Sequence, residues 1–427
     1  MPTDATHDPQ LRSRVKAANA DGCDFPIQNL PLGIFSTSGT APRGGIAIGD
    51  QILDIAAASD AGLLTGAAAA AASGETLNPL MALGNDAAAA LRAQAQALLA
   101  EGATPSVPLV PMAAATVHLP AAIGAFSDFF CSYDHTLRGG RVSRPDNPVP
   151  AAFKWLPIAY SSRASSVRPS GEDVVRPNGI RGASGGGATF GPCTALDFEL
   201  EFAAFIGRGN SLGQPIPLSR AREHLFGFCL LNDWSARDIQ RFESTPLGPF
   251  LSKSLHTTIS PWVVTAAALE PFRSPAPARH EGDPPLLPHL DDAGDRTAGH
   301  WDIALTCDYT PRGAAQGERI VATHLRNLYW TLGQMLTHHA SNGCNLRPGD
   351  LIATGTVSGP EDHERACMNE MTLGRQPIRF ADGTERMYIE DGDRVTFRAR
   401  AERAGFVSIG FGECTGVVLP APAWPRA

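Results

Sequence analysis

Between Leu196 and Phe202 polar and apolar residues alternate, so on one strand Asp197, Glu199 and Glu201 share a face while Phe198, Leu200 and Phe202 share the other. Three like charges side by side repel. Open water on a solvated face relieves that repulsion, and so does a bound cation with a preference for hard oxygen ligands. The segment alone leaves both readings open. Asp233 closes the apolar run 228–234 ahead of an expected helix over 235–242, where it is either the helix N-cap or a ligand. Asp128 lies in the aromatic cluster 126–130, and a buried carboxylate there needs a partner or a metal. Asp128, Glu199, Glu201 and Asp233 together form an all-carboxylate set suited to Mg²⁺ or Ca²⁺ rather than zinc, with Lys253 and Arg237 to offset the excess negative charge.

His135 precedes a basic, glycine-containing run through Arg138, Arg141 and Arg144, a pattern suited to a general base beside an anion-binding loop, although a lone histidine is more often structural. Lys253 sits among apolar residues and Thr257, Thr258 and Ser260, where an ammonium could face an oxyanion; the competing reading is a solvated surface lysine. His338 and His339 are adjacent and would stand about 100° apart on a helix, so at least one packs or caps.

The elements that must hold these residues are mainly strands. Short apolar runs separated by turn dipeptides from residue 25 to about 55 mark a small β-rich lobe. The Ala-rich piece 63–72 reads as a buried or loop-flanked helix. A further helix runs to Leu99, capped by Asn85 or Asp86, and leads into a larger β-dominated region from about residue 114 without a βαβ repeat. The divisions expected are a flexible segment 1–24, an N-terminal domain with its linking helix over 25–113, and a catalytic domain over 114–427. Stretches 181–189 and 271–300, rich in Gly and in Pro, Asp and Gly, read as surface loops, the second a mobile insertion.

The chain has 427 residues, 43% of them hydrophobic, enough for a large core, and a net charge of −8 without a basic aromatic stripe, which disfavours a nucleic-acid surface. Its eight scattered cysteines form no CxxC pair and read as reduced thiols of a cytoplasmic protein. No apolar run approaches the roughly 18 residues needed to span a bilayer, and the polar N-terminal stretch is no signal peptide. A small-molecule substrate is the expectation.

Read in order, several words resemble the fumarylacetoacetase family: Arg163-Ala-Ser-Ser166, Leu196 to Glu201, Asn232-Asp-Trp-Ser-Ala-Arg-Asp-Ile-Gln240, Pro246-Leu-Gly-Pro-Phe250, Thr257-Thr-Ile-Ser-Pro-Trp262, Asn342 to Asp350, and Gly355-Thr-Val-Ser-Gly-Pro-Glu361. The resemblance extends from about residue 25 to 420. It implies a mostly β (α+β) chain, with a small SH3-like N-terminal β domain followed by a large mixed β-roll catalytic domain, and a homodimer. By position it implies cation ligands at Asp128, Glu199, Glu201 and Asp233, with a second cation region at Asp233, Lys253 and Thr257. It puts a catalytic histidine at His135 and its carboxylate partner at Glu370, fourteen residues beyond Thr356. Substrate contacts fall on Arg144, Tyr160, Gln240 and Thr356, with Arg237 and Lys253 in the pocket wall as catalytic groups. Phe130 and Ser244 stand where the family usually has tyrosines, so two substrate-facing hydroxyl rings are changed or lost.

The activity so implied is metal-dependent hydrolysis of a carbon–carbon bond in a 1,3-diketone, 4-fumarylacetoacetate giving fumarate and acetoacetate. Phe130 and Ser244 keep open a related acylpyruvate or diketo acid, or decarboxylation of a β-keto acid. A non-catalytic metal-binding scaffold would lack the base and oxyanion groups, whereas His135, Gln240 and Lys253 are all present.

Overall fold

Apolar runs cut by turns build an antiparallel sheet near the N-terminus, in the spatial order Leu109–Pro111, Gln51–Asp54, Arg43–Ile48, Leu32–Ser36 and Thr116–His118. The computed structural model describes residues 3–425. The Ala-rich piece forms the helix Gly66–Ala72, whose Ala68, Ala69 and Ala72 are buried. Small residues are needed there, because the strand Arg43–Ile48 passes so close that a Cβ on Gly44 would fall 1.7 Å from the Ala72 carbonyl oxygen. The long helix Asn85–Leu99 begins one residue after its cap, Gly84. Asn85 does not cap it; its amide instead donates to the carbonyls of Arg222 and Leu225, at 3.1 Å each, and so fastens the helix to the following body of the chain.

That body holds an eight-stranded mixed sheet. Its path runs Ala159–Ser162, Phe126–Phe129, Leu351–Ala353, Leu200–Ile206, Leu225–Asp233, Thr257–Ile259 and Val167–Pro169, and Val264–Thr265 also pairs with Leu225–Asp233. The central strands are buried on both faces. Leu200, Phe202, Phe228 and Leu230 join one hydrophobic core, while Ala203, Phe205, Cys229 and Leu231 join the core shared with the N-terminal helices. This two-sided burial explains why these strands read as near-continuous apolar runs. A second sheet, in the order Glu318–His324, Ile303–Thr310, Arg394–Ala401, Ile409–Leu419 and Val174–Val175, closes over the first core.

Three sequence expectations change. Residues 3–24, read as a flexible arm, are tied down by the Arg14 amide on the Leu99 carbonyl at 2.9 Å and by the buried His7 ring on the Ala267 carbonyl at 2.9 Å. The stretch 271–300, read as a mobile insertion, contains the helix Ala293–Ala298 and a docked loop in which Arg279 stacks on Tyr329 while Asp283 takes a 2.6 Å ion pair from Lys154. The glycine-rich stretch 181–189 is the turn of a hairpin, Asn178–Gly182 with Ala188–Pro192. All eight cysteines are unpaired, and among the described residues no helix is long and apolar enough to cross a membrane.

Candidate active site

The alternation over 196–202 does not make one uninterrupted strand. Leu196–Asp197 pairs with Ser235–Ala236, the ladder breaks at Phe198 and Glu199, and Leu200–Ile206 then pairs with Leu225–Asp233. The break separates the three carboxylates into two roles. Asp197, Glu199 and Glu201 expose only 0%, 5% and 0% of their surface, which removes the solvated-face reading. Asp197 turns toward Arg237, accepting from its Nε at 2.9 Å, and caps the short helix Met368–Thr372 by accepting from the Met368 and Asn369 amides at 2.8 and 3.0 Å. Glu199 and Glu201 remain with Asp128 and Asp233.

Strand register assembles that group. Asp128 lies opposite Tyr160, and Asp233, the last residue of its strand, lies opposite Thr257. The expected helix over 235–242 begins later, as Arg237–Glu243, after a short extended pair, so Asp233 is a strand terminus and not an N-cap. The Tyr160 hydroxyl is 2.7 Å from Asp128 Oδ2 and 2.8 Å from Asp233 Oδ2, and its single hydrogen serves one of them at a time. Lys253 Nζ bridges Asp233 Oδ2, at 2.5 Å, and Glu199 Oε2. Arg237 Nη2 ion-pairs with Glu199 Oε1 at 2.8 Å. Thr257 Oγ1 is 3.4 Å from Asp233 Oδ1.

These neighbours split the carboxylates electrostatically. Burial raises the Glu199 carboxyl, but Arg237, Lys253 and His135 outweigh it and hold the group far below the usual range. Burial also raises Glu201, and there Asp128, Glu199 and Asp233 add to it. Asp128 is raised by burial and then by Asp233. Burial works against the Lys253 ammonium, yet Asp233 and Glu199 raise it well above its ordinary value. Within this group, Asp128 Oδ1 and both oxygens of Glu201 are buried without a hydrogen-bond partner among the described residues, and ligand atoms of Asp128, Glu201 and Asp233 lie within 4.8 Å of one another. Buried acceptors without donors are costly unless something else meets them. An all-oxygen set of this kind fits a hard dication, whose two charges with that of Lys253 offset most of the four carboxylates, Arg237 being shared between Glu199 and Asp197.

His135 enters from the other side. It lies in the first turn of the helix Tyr133–Ser143, which Ser132 caps by accepting from the His135 amide at 3.1 Å. Its Nδ1 is 2.5 Å from Glu370 Oε1. Glu370 also accepts from Ser358 Oγ at 2.6 Å and from Arg138 Nη1 at 3.1 Å. Burial would raise its carboxyl, but His135, Ser358 and Arg138 hold it at about 2. An ionised carboxylate can only accept, so Nδ1 carries a proton, and the neutral tautomer of this ring has its lone pair on Nε2. Nε2 lies 3.9 Å from Glu199 Oε1, at the edge of the carboxylate group.

The remaining predicted residues divide. Gln240 Oε1 accepts from Arg237 Nη1 at 3.2 Å, which leaves its NH₂ to donate elsewhere. The Ser244 hydroxyl is turned back onto the Gln240 carbonyl at 2.6 Å. Phe130 presents its ring to His135 in an edge contact, with centroids 5.2 Å apart. Thr356 is buried in the loop after Leu351–Ala353. Arg144 is not gathered in: it is exposed, donates to the Pro148 carbonyl at 3.2 Å, and stands nine residues beyond His135, roughly 13 Å along the helix axis. His339 bonds Ser127 Oγ at 2.7 Å. Sequence reasoning missed Ser358 and the capping role of Asp197. Nothing local marks either; Ser358 lies within the word 355–361, but its hydroxyl gains meaning only when residue 370 folds back onto it.

Residues 28–120 match the family model described as Fumarylacetoacetase N-terminal, and residues 125–419 match that described as Fumarylacetoacetate (FAA) hydrolase C-terminal. The chain belongs to the fumarylacetoacetate hydrolase family. It is 44% identical to a fumarylacetoacetase of Oryza sativa subsp. japonica over 96% of this chain and 98% of that protein. It is 43% identical to the fumarylacetoacetase of Homo sapiens over 94% and 98%. Among solved structures, a fumarylacetoacetate hydrolase from psychrophilic Exiguobacterium antarcticum is 16% identical with a TM-score of 0.53, covering 92% of this chain and 99% of that one. At that identity the likeness speaks for the fold alone, a mixed, strand-rich α+β architecture with an N-terminal domain preceding a larger one.

Proposed function

We propose that this chain hydrolyses 4-fumarylacetoacetate to fumarate and acetoacetate, a step of tyrosine catabolism. The observation that carries the reading is the His135–Glu370 pair with its Nε2 at the edge of a buried four-carboxylate group. Asp128, Glu199, Glu201 and Asp233 would hold a divalent cation, Ca²⁺ or Mg²⁺, with Thr257 and Lys253 beside it. When bound, such a cation supplies Lewis acidity toward the two oxygens of a 1,3-diketone.

The chain's own residues supply the rest. His135 Nε2 takes a proton from water, and Glu370 stabilises the imidazolium through Nδ1–H. The hydroxide adds to a carbonyl carbon, the carbon–carbon bond breaks, and its electron pair leaves as the enolate of acetoacetate, which takes up a proton. Gln240 NH₂, with Lys253 and Arg237, faces the oxyanion, where one preorganised donor is worth roughly 3 kcal/mol. Arg144 would need its loop to approach before pairing with a substrate carboxylate; Tyr160 and Thr356 complete the pocket. We further assign residues 25–113 and 114–427 as the N-terminal and catalytic domains, and the protein as a cytoplasmic homodimer.

A second reading, hydrolysis of a related diketo acid, is favoured by the inward-turned Ser244 hydroxyl and the hydroxyl-free ring of Phe130. The test is bleaching of the diketone absorbance by purified protein with Mg²⁺ or Ca²⁺, run against a panel of acylpyruvates. Faster turnover of an acylpyruvate selects the second reading, and no turnover of any diketone removes both.

A further inference from the structure

Ser358 bonds Glu370 directly and reaches His135 through Ser132, and the mechanism above gives it no role. It is fully buried. Its Oγ accepts from the Ala366 amide at 3.1 Å, which directs its one hydrogen to Glu370 Oε1 at 2.6 Å, the same oxygen that receives His135 Nδ1. Its backbone carbonyl accepts from Ser132 Oγ at 2.7 Å, and Ser132 Oγ is the cap on the His135 amide. One residue therefore fixes the carboxylate by its hydroxyl and the first turn of the histidine helix by its carbonyl.

The loop that carries it is anchored where the carboxylate group is built. The Val357 amide donates to the Leu200 carbonyl at 2.9 Å, between Glu199 and Glu201, and the Val357 carbonyl accepts from Thr323 Oγ1 at 2.8 Å. A fixed Ser358 thus sets the pair in register with the neighbouring carboxylates. Arg138, whose side chain is 12% exposed, holds the other oxygen of Glu370, and without Ser358 the oxygen facing His135 keeps, besides the imidazole, only the weak Cys367 thiol donor at 3.5 Å.

We infer that Ser358 is a positioning residue for the His135–Glu370 pair, aiming Nε2 through its hydroxyl on Glu370 and its carbonyl on Ser132. The inference rests on the proposed role of that pair as the base. In Ser358→Ala, kcat falls by about tenfold or more, the size expected for one hydrogen bond to a charged group, while KM stays within about twofold. The downfield ¹H NMR resonance of the His135 Nδ1 proton, assigned by its loss in Glu370→Gln, shifts or broadens. Ser132→Ala, which keeps the Ser358 hydroxyl on Glu370 and removes the carbonyl tie together with the cap on the His135 amide, gives a smaller change in both readouts and decides the matter if Ser358→Ala does not fold. An unmoved resonance with unchanged kcat in these variants overturns the inference. So does a joint loss of kcat and cation-induced stabilisation, which would make Ser358 merely structural. A wild-type protein that cleaves no diketone removes the functional reading but leaves the resonance test standing.

Discussion

Glu199 and Glu201 lie two residues apart, yet their neutralisation should have opposite effects on the metal-free protein. Glu201 is buried, its two oxygens have no hydrogen-bond partner among the described residues, and burial with three nearby carboxylates raises its carboxyl. Holding a carboxyl of ordinary value 4.5 protonated at pH 7 costs about 3 kcal/mol, at 1.36 kcal/mol per pH unit, and this bounds the gain from Glu201→Gln. For a 427-residue chain unfolding as one unit, an unfolding entropy of about 0.9 kcal/mol/K turns that into a rise of up to about 3 °C in EDTA. Glu199→Gln leaves Lys253 and Arg237 short of a buried partner, a loss of about 3–5 kcal/mol and a fall of about 3–6 °C. Wild-type protein should gain about 3 kcal/mol from cation at one hundred times its Kd, and both variants should lose most of that gain. Differential scanning fluorimetry in EDTA, Mg²⁺ and Ca²⁺ reads all three effects. The reasoning is refuted if Glu201→Gln destabilises the metal-free protein and retains the full cation-induced shift.

Other perturbations follow from the same geometry. Gly355 has φ 75°, and a Cβ there would lie 2.2 Å from the Phe129 carbonyl oxygen, so Gly355→Ala should cost at least about 1 kcal/mol and weaken cation binding through the strand carrying Asp128; thermal melts and a cation titration check both. Arg237→Ala uncovers Asp197 and Glu199 together and should cost about 3–5 kcal/mol in denaturant melts, with loss of turnover. His300 is buried and neutral, its imidazole lowered from 6.5 to about 3 by burial, His324 and Arg273. The unfolded chain binds the proton first, so stability is present above pH 6.5 and is lost as pH falls toward 3, at about 1.4 kcal/mol per pH unit for this group. Glu370, held at about 2 against an ordinary 4.5, adds a loss of the same sign between those values. His300→Asn should flatten the slope above pH 4.5, read by urea melts across pH.

Much of the site was legible because short-range chemistry marks it. Period-two carboxylates, an apolar run ending in Asp233 and an aspartate among aromatics are local patterns, and the family resemblance joined them. What the sequence concealed depends on contacts distant along the chain. The break at Phe198–Glu199 is invisible in an alternating pattern, because the partner strand also breaks, at Trp234, and only pairing reveals it. Asn85 reads as a cap from its neighbours, but its amide finds carbonyls about 140 residues away. The 271–300 stretch has loop composition, yet Arg279 and Asp283 dock it on aromatic residues that a local reading cannot place beside it.

The central claim is that base and cation site are separate parts of one hydrolytic centre. The most direct test compares wild type with His135→Asn for cleavage of 4-fumarylacetoacetate and for cation-induced stabilisation on the same samples. The account predicts that the variant keeps the cation-induced shift and loses turnover by about 10²–10⁴-fold, the range of general-base catalysis. Near-wild-type turnover in His135→Asn, with the shift intact, would contradict it.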